Sequence, residues 1–285
     1  MFGRVPLLAI GGNPPDHHAL AVQAEVRCNA GRMKGERPFN QPESRLGKLV
    51  FALIDWMERR VRAGSRVGVG PFFEASDFPW LPALQSEWQD ICADAQAVLK
   101  LRERLPAFQE ISEDVAYINK DDQWKTFMLV GYGLRSERNL AACPATAQAL
   151  RHIPYLRTAF FSILEPGKRI PPHRGPYNGV LRLHLGLVIP QAAERCWIRV
   201  GEQRREWSPG GVLLFDDALE HEVHNDTDEP RVVLFVDFLR PCRWPLNWLN
   251  WLLVFLARYS PLVQSARRNQ RHWEGRFYGE QNRGL

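Results

Sequence analysis

The period of the apolar positions changes several times along this chain, and each change marks an element. Between Ser44 and Arg62 (SRLGKLVFALIDWMERRVR), Leu46, Leu49, Leu53, Trp56 and Val61 recur near helical spacing and basic residues close the C-terminal end. That pattern predicts a helix, broken by Gly64–Gly70. A second amphipathic segment is predicted from Gln85 to Arg104, with Trp88, Ile91, Ala95, Val98 and Leu99 as its apolar stripe. Asp122–Gly133 has the β-branched and aromatic bias of a strand, and Pro144–His152 reads as a short helix with proline in its first turn. Thr158–Leu164 is the next strand. From Ala159 to Pro241, short apolar runs then alternate with Gly, Pro, Asn and Asp clusters at about ten-residue spacing, the habit of an antiparallel barrel or jelly roll.

After Pro241 the pattern changes again. An apolar helix of about fifteen residues is predicted from near Pro245, shorter than the roughly twenty needed to span a bilayer. Trp244, Trp248 and Trp251 fall at i, i+4 and i+7 and make one aromatic stripe. Two readings stand for it: a helix packed on the barrel or in a dimer interface, or an interfacial helix lying against anionic lipid. Residues 1 to about 42 are rich in Gly, Pro, Asn and His and read as loop or arm. The expected organisation is an arm and helix over 1–75, a β-rich central domain over 76–241 and a Trp/Arg-rich helical tail over 242–285.

Composition adds little until charge is followed along the chain. The net charge is only +5, but eight arginines lie from Arg240 onward against Glu274 and Glu280. Such a tail could meet nucleic acid, an anionic membrane surface or an acidic partner, and charge alone does not choose among them; with the rest of the chain considered, no nucleic acid is expected. The five cysteines are scattered without metal-like spacing, which fits reduced thiols and a cytoplasmic location, with a peripheral membrane position under the interfacial reading of the helix. The apolar run near the N-terminus is too short for a secretory leader.

The candidate chemistry sits in the barrel-like region. NDTDEP separates HEVH from RVVLFVDF and reads as a hairpin turn; centred near Asp226, it would set His221 opposite Arg231 with Cβ atoms about 5 Å apart. His224 would point to the other face. His173 follows a strand candidate in PPHRGP. Two imidazoles can hold a metal with positions left open, and a buried arginine can grip an organic acid in a bidentate pair. The usual facial triad adds a carboxylate two residues after the first histidine, where this chain has Gly175. Taken singly, each histidine reads first as a hydrogen-bonded core residue, and Asp216 and Asp217 read equally well as turn and strand-edge acids.

Four motifs in order, PPHRGPYN, LRLHLGLVIP, FDDALEHEV and the arginine of PRVVLFVDF, resemble the aspartyl/asparaginyl β-hydroxylase family of Fe(II)/2-oxoglutarate-dependent oxygenases over roughly Trp124–Pro241. The resemblance implies a mainly β chain with flanking helices (α+β), built on a double-stranded β-helix, jelly-roll or cupin-like core. It implies Fe(II) on His173 and His221, with glycine at the third position as a trait of the family. It implies 2-oxoglutarate, the co-substrate used with O2, held by Arg231 and Ser162, with Trp124, Arg182 and His184 facing the same cavity and Asp217 ordering water near the metal. The implied reaction is hydroxylation of an unactivated C–H, at the β-carbon of an aspartyl, asparaginyl or related residue in a peptide or amino acid. Val180 departs from this pattern, since peptide-acting members carry an arginine there. The alternatives are hydroxylation of a lipid acyl chain, as in lipid A hydroxylases that resemble the same family; halogenation; or a cupin-like binding module without turnover.

Overall fold

The computed structural model describes residues 45–281, Tyr132 apart. The arm expected over residues 1 to about 42 lies outside them. Two antiparallel sheets form the centre. The strands are β1 (Phe72–Phe73), β2 (Trp124–Gly131), β3 (Leu134–Arg135), β4 (Leu156–Leu164), β5 (Arg169–His173), β6 (Val180–Val188), β7 (Cys196–Val200), β8 (Gln203–Glu206), β9 (Val212–Phe215), β10 (His221–Asn225) and β11 (Arg231–Leu239). One sheet runs β1-β9-β6-β11-β4-β2-β3 and the other β5-β10-β7-β8. The chain steps between them from β4 to β5, from β5 to β6, and again on either side of β10, which is the winding of a double-stranded β-helix.

The hairpin expected across NDTDEP does not form. β10 pairs with β5 and β7, while β11 pairs with β4 and β6 in the other sheet. The reason is Asn225, fully buried at the end of β10. Its amide donates to the carbonyls of Leu164 and Glu165 at 3.1 Å and of Glu229 at 2.9 Å, and its Oδ1 accepts from Thr227 Oγ1 at 2.7 Å. These bonds fold the turn into a crossover, because each carbonyl they satisfy belongs to the opposite sheet or to the turn itself.

Helices cover the sheets. α1 (Arg45–Ala63) precedes β1, and α2 (Leu81–Ser86), α3 (Trp88–Leu99) and α4 (Phe108–Ile111) follow it. The single segment expected over Gln85–Arg104 is thus divided at Glu87, and its stripe of Ile91, Ala95 and Val98 is buried as expected. α5 (Glu137–Ala142), which the hydrophobic pattern did not announce, starts where Ser136 Oγ accepts from the Asn139 N–H at 3.3 Å. α6 (Pro144–Ala149) carries its proline in the first turn.

The tail forms α7 (Leu246–Ala257) and α8 (Pro261–Gln281). α8 falls within the helical tail expected over 242–285, but the sequence pattern did not single it out as a second helix. It packs on the core through Trp273 and Phe277, whose rings lie 6.2 and 6.5 Å from Phe127. α7 is two-faced. Leu246, Leu249 and Leu253 pack on Met57 and Val61 of α1, whereas Trp244 and Trp248 are 80% and 55% exposed. Leu49, Leu53 and Trp56 of α1 are likewise exposed, so the predicted stripe of that helix is only partly a core stripe. No helix of the described residues is long and apolar enough to cross a membrane.

Candidate functional site

His173 ends β5 and His221 begins β10, and the two residues are register partners with ring centroids 4.1 Å apart. The geometry of each ring is set by a backbone carbonyl two residues earlier. His173 Nδ1 donates to Pro171 O at 2.8 Å and His221 Nδ1 to Leu219 O at 2.9 Å. A carbonyl only accepts, so the Nδ1 proton is fixed and the lone pair sits on Nε2, as a metal ligand requires. Burial, then the Arg182 charge, holds His173 neutral and pushes its pKa down to about 4. Burial, then His173 and Arg182, pushes His221 well below the ordinary histidine value. His224 faces away, stacked at 4.1 Å on Trp197 and bonded to Glu222.

No group of three or more His, Cys, Asp or Glu poised for a metal occurs among the described residues. Gly175 shows why a third carboxylate is missing where a triad would have it. A Cβ built there would lie 2.1 Å from Asp217 Oδ2, while the Gly175 N–H donates to Asp217 O at 2.8 Å. Asp217 therefore fills the space beside the imidazoles. It is fully buried, its Oδ2 lies 2.8 Å from Arg182 Nη2, and its Oδ1 has no hydrogen-bond partner. Burial raises its pKa, Arg182 opposes that, and Asp237 and Asp216 add to the rise. The neighbouring Asp216 is turned to the other side, in a buried ion pair with Arg240. The two acids of FDDAL do stand at a strand end and its turn, as expected, but they are not equivalent.

The second half of the site lies on the inner face of the larger sheet. Strand alternation brings Arg231, Val233, Phe235 and Asp237 of β11 onto one face, with Arg182 and His184 of β6 and Phe160 and Ser162 of β4. Arg231 is 1% exposed. Its Nε and Nη1 have no hydrogen-bond partner, and its guanidinium lies 4.7 Å over the Trp207 ring. Burial pushes its pKa down to about 10. Ser162 Oγ accepts from Trp124 Nε1 at 3.0 Å, which leaves the hydroxyl proton to donate elsewhere. Both ring nitrogens of His184 are buried and unpartnered among Trp207, Phe215 and Phe235, and burial, then Arg231, keeps it neutral. A buried cation, a free hydroxyl proton and an unpaired imidazole, with no acid of the protein among them, fit an organic acid of the size of a dicarboxylate.

Arg182 stands between the two halves. Its Nε and Nη2 donate to Asp237 at 2.9 and 3.2 Å, and its guanidinium lies 4.2 Å over Phe235. Of the residues expected from sequence, His173, His221, Asp217 and Arg182 gather around one point, and Arg231, Ser162, Trp124 and His184 around the other. Asp237 and Trp207 were missed. Asp237 was legible, being two residues beyond Phe235 on the same inward face. Trp207 was not, because its ribbon EWSPGG carries no periodicity.

A cavity of about 500 Å³ opens from His173, Gly175, Arg182 and Asp217 and continues outward. Its walls are Phe108, Val115, Ile118, Leu134, Leu156 and Val180, and its far end is Val254, Phe255 and Val263 of the tail helices.

Residues 85–241 match the family model described as aspartyl/asparaginyl beta-hydroxylase. Among curated proteins, the ornithine lipid ester-linked acyl 2-hydroxylase of Rhizobium tropici is 44% identical over 246 residues, covering 86% of this chain and 87% of that protein. The aspartyl/asparaginyl beta-hydroxylase of Homo sapiens is 35% identical over 164 residues, covering 56% of this chain and only 21% of that protein. Among solved structures, a cupin 2 conserved barrel domain protein from Salinispora arenicola superposes with a TM-score of 0.29 at 14% identity, covering 49% of this chain and 92% of that one. On the extent of the family match and of the Rhizobium relative, and with the site geometry described above, this chain belongs to the aspartyl/asparaginyl β-hydroxylase family of hydroxylases.

Proposed function

We propose that this chain is an Fe(II)- and 2-oxoglutarate-dependent dioxygenase that hydroxylates the acyl chain of an amphipathic lipid. The observation that carries the substrate class is the cavity. Its walls are mainly aliphatic and aromatic between His173 and α7, and Val180 lies in it at the position where an aspartyl substrate would call for an arginine. The relative matched over most of both chains is named for a lipid acyl 2-hydroxylase, and that match extends beyond the oxygenase segment.

His173 and His221 would hold Fe(II) through Nε2, and Asp217 would order water beside it. Arg231 and Ser162 would receive the far carboxylate of 2-oxoglutarate, with His184 and Trp124 completing that pocket. When bound, the iron together with O2 and 2-oxoglutarate supplies the oxidising power for an unactivated C–H, and succinate and carbon dioxide leave. The protein's own part is placement and exclusion. Trp207 lies against the Arg231 guanidinium and Phe160 stacks on Phe235 at 4.2 Å, so the acid-binding end is dry and its charge pairing strong. Arg182, tied to Asp237 and Asp217, holds the wall between co-substrate and substrate in one position.

The exposed Trp244 and Trp248 support a peripheral position on an anionic membrane, on the cytoplasmic side, with α7 joining that surface to the cavity. The test offers the full chain Fe(II), 2-oxoglutarate and phosphatidylglycerol vesicles containing ornithine lipid. Expected are succinate and one added oxygen on an acyl chain. Both are lost in His173→Ala and Arg231→Ala, and the vesicle-bound fraction falls in Trp244→Ser/Trp248→Ser. Hydroxylation of an aspartyl peptide with the lipid untouched would replace this substrate assignment, and failure to bind iron would remove the reaction class.

A further inference from the structure

Two cations on the cavity wall are used by neither the metal group nor the acid pocket: Arg157 and Arg258. Arg157 is the extra residue of a β-bulge. Across the β4–β11 pair, Thr158 faces Asp237 and Leu156 faces Phe238, so Arg157 has no opposite number. Bulges of this kind aim a side chain away from the regular alternation of its strand. Tyr155, immediately before this strand, stands at φ 53°, a left-handed backbone that aromatic residues rarely adopt. Arg258 caps the C-terminal end of α7, with its guanidinium 5.3 Å over Phe255 and 5.5 Å over Tyr259. Both cations border the β2–β3 turn. A Cβ on Gly133 would lie 3.5 Å from Arg258 Nε, and one on Gly131 would lie 3.4 Å from Thr158 Cγ2, next to Arg157.

The Nε of each arginine is buried without a hydrogen-bond partner, and neither is paired with a carboxylate of the described residues. Burial also pushes the Arg157 guanidinium below its ordinary pKa. The other charges on this wall are accounted for. Asp217 and Asp237 lie on Arg182, Asp114 accepts from Ser112 Oγ, Arg135 lies 3.6 Å from Glu137, and Arg174 has a partner of its own. Two half-buried arginines on one cavity wall, each with a buried Nε that lacks an acceptor, mark a place for an anion.

We propose that Arg157 and Arg258 take the anionic headgroup, a carboxylate or a phosphate, of the amphiphile whose acyl chain lies along the apolar wall toward His173. This assignment rests on the lipid reading of the cavity. The headgroup is then held at the β2–β3 turn and the end of α7, and the chain enters the cavity from that side. Arginine suits the task because its planar fork matches either anion with two parallel hydrogen bonds.

The experiment measures equilibrium binding to the full chain of three probes: N-myristoylglycine, its neutral methyl ester, and N-acetylglycine, which is the same acid without the chain. The expected result is a preference of about tenfold or more for the acid amphiphile over its ester. That preference disappears in Arg157→Gln/Arg258→Gln, while ester affinity is unchanged and so reports an intact fold. Arg157→Lys/Arg258→Lys, which keeps the charges, retains part of it. A preference that survives the double glutamine variant, or its absence from the wild type, overturns the headgroup site and leaves the lipid reading standing. N-acetylglycine binding as tightly as N-myristoylglycine overturns it too, in favour of a soluble acid. Failure of both amphiphiles to bind removes the lipid reading together with the headgroup site.

Discussion

At the scale of single residues, the site holds some of its polar groups without hydrogen-bond partners. Arg231 is the clearest of them: a cation at 1% exposure whose nearest chemical company is an indole ring. An uncompensated buried charge destabilises a fold, and an apolar side chain of similar volume relieves that cost. Arg231→Met is therefore expected to raise the unfolding free energy of the protein without 2-oxoglutarate by about 1–3 kcal/mol. The same substitution removes the rise in Tm that 2-oxoglutarate gives the wild type. Thermal unfolding with and without the acid checks both, and a destabilised ligand-free variant would mean that Arg231 is a structural residue. This residue was legible in the sequence because an arginine inside an apolar strand run is conspicuous. Trp207 beneath it was not, since nothing local to its polar ribbon shows that the chain folds back onto β11.

At the scale of elements, most strands followed from alternation and turn residues, and the helices whose apolar stripes are continuous followed from their period. The failures have physical causes. α5 is short and is started by a capping serine, and α8 is strongly polar along much of its length, so neither shows a full apolar stripe. NDTDEP misled because a turn sequence specifies a reversal and not which sheet receives the next strand. That choice falls to Asn225. Asn225→Ala leaves the carbonyls of Leu164, Glu165 and Glu229 without their amide donor in a dry crossover, and is expected to lower stability by about 2–4 kcal/mol. Urea denaturation measures it; a change below about 0.5 kcal/mol, the range of an ordinary surface substitution, would show that the crossover is held by other contacts.

At the scale of the whole molecule, three neutral histidines, His184 and His221 buried and His173 partly so, couple folding to pH. His173, His184 and His221 all have folded values below the unfolded one, chiefly through burial. Between about pH 6.5 and 4 the unfolded chain takes up protons that the folded chain refuses, so stability is full above that window and falls as pH drops through it. Urea titrations of the metal-free protein at pH 7.5 and 5 should show the lower midpoint at pH 5, and equal midpoints would mean that these imidazoles are solvated. His173 and His221, the proposed metal pair, belong to one sheet and Arg231, proposed to hold the acid, to the other, all within residues 85–241, whereas one wall of the cavity comes from Val254, Phe255, Arg258 and Val263 beyond that segment. Under the proposed function, the parts that do the oxidising and part of the wall that gauges what is oxidised lie in separate stretches of the chain. Rebuilding the last two helices would then change which substrate fits while the buried core stays as it is.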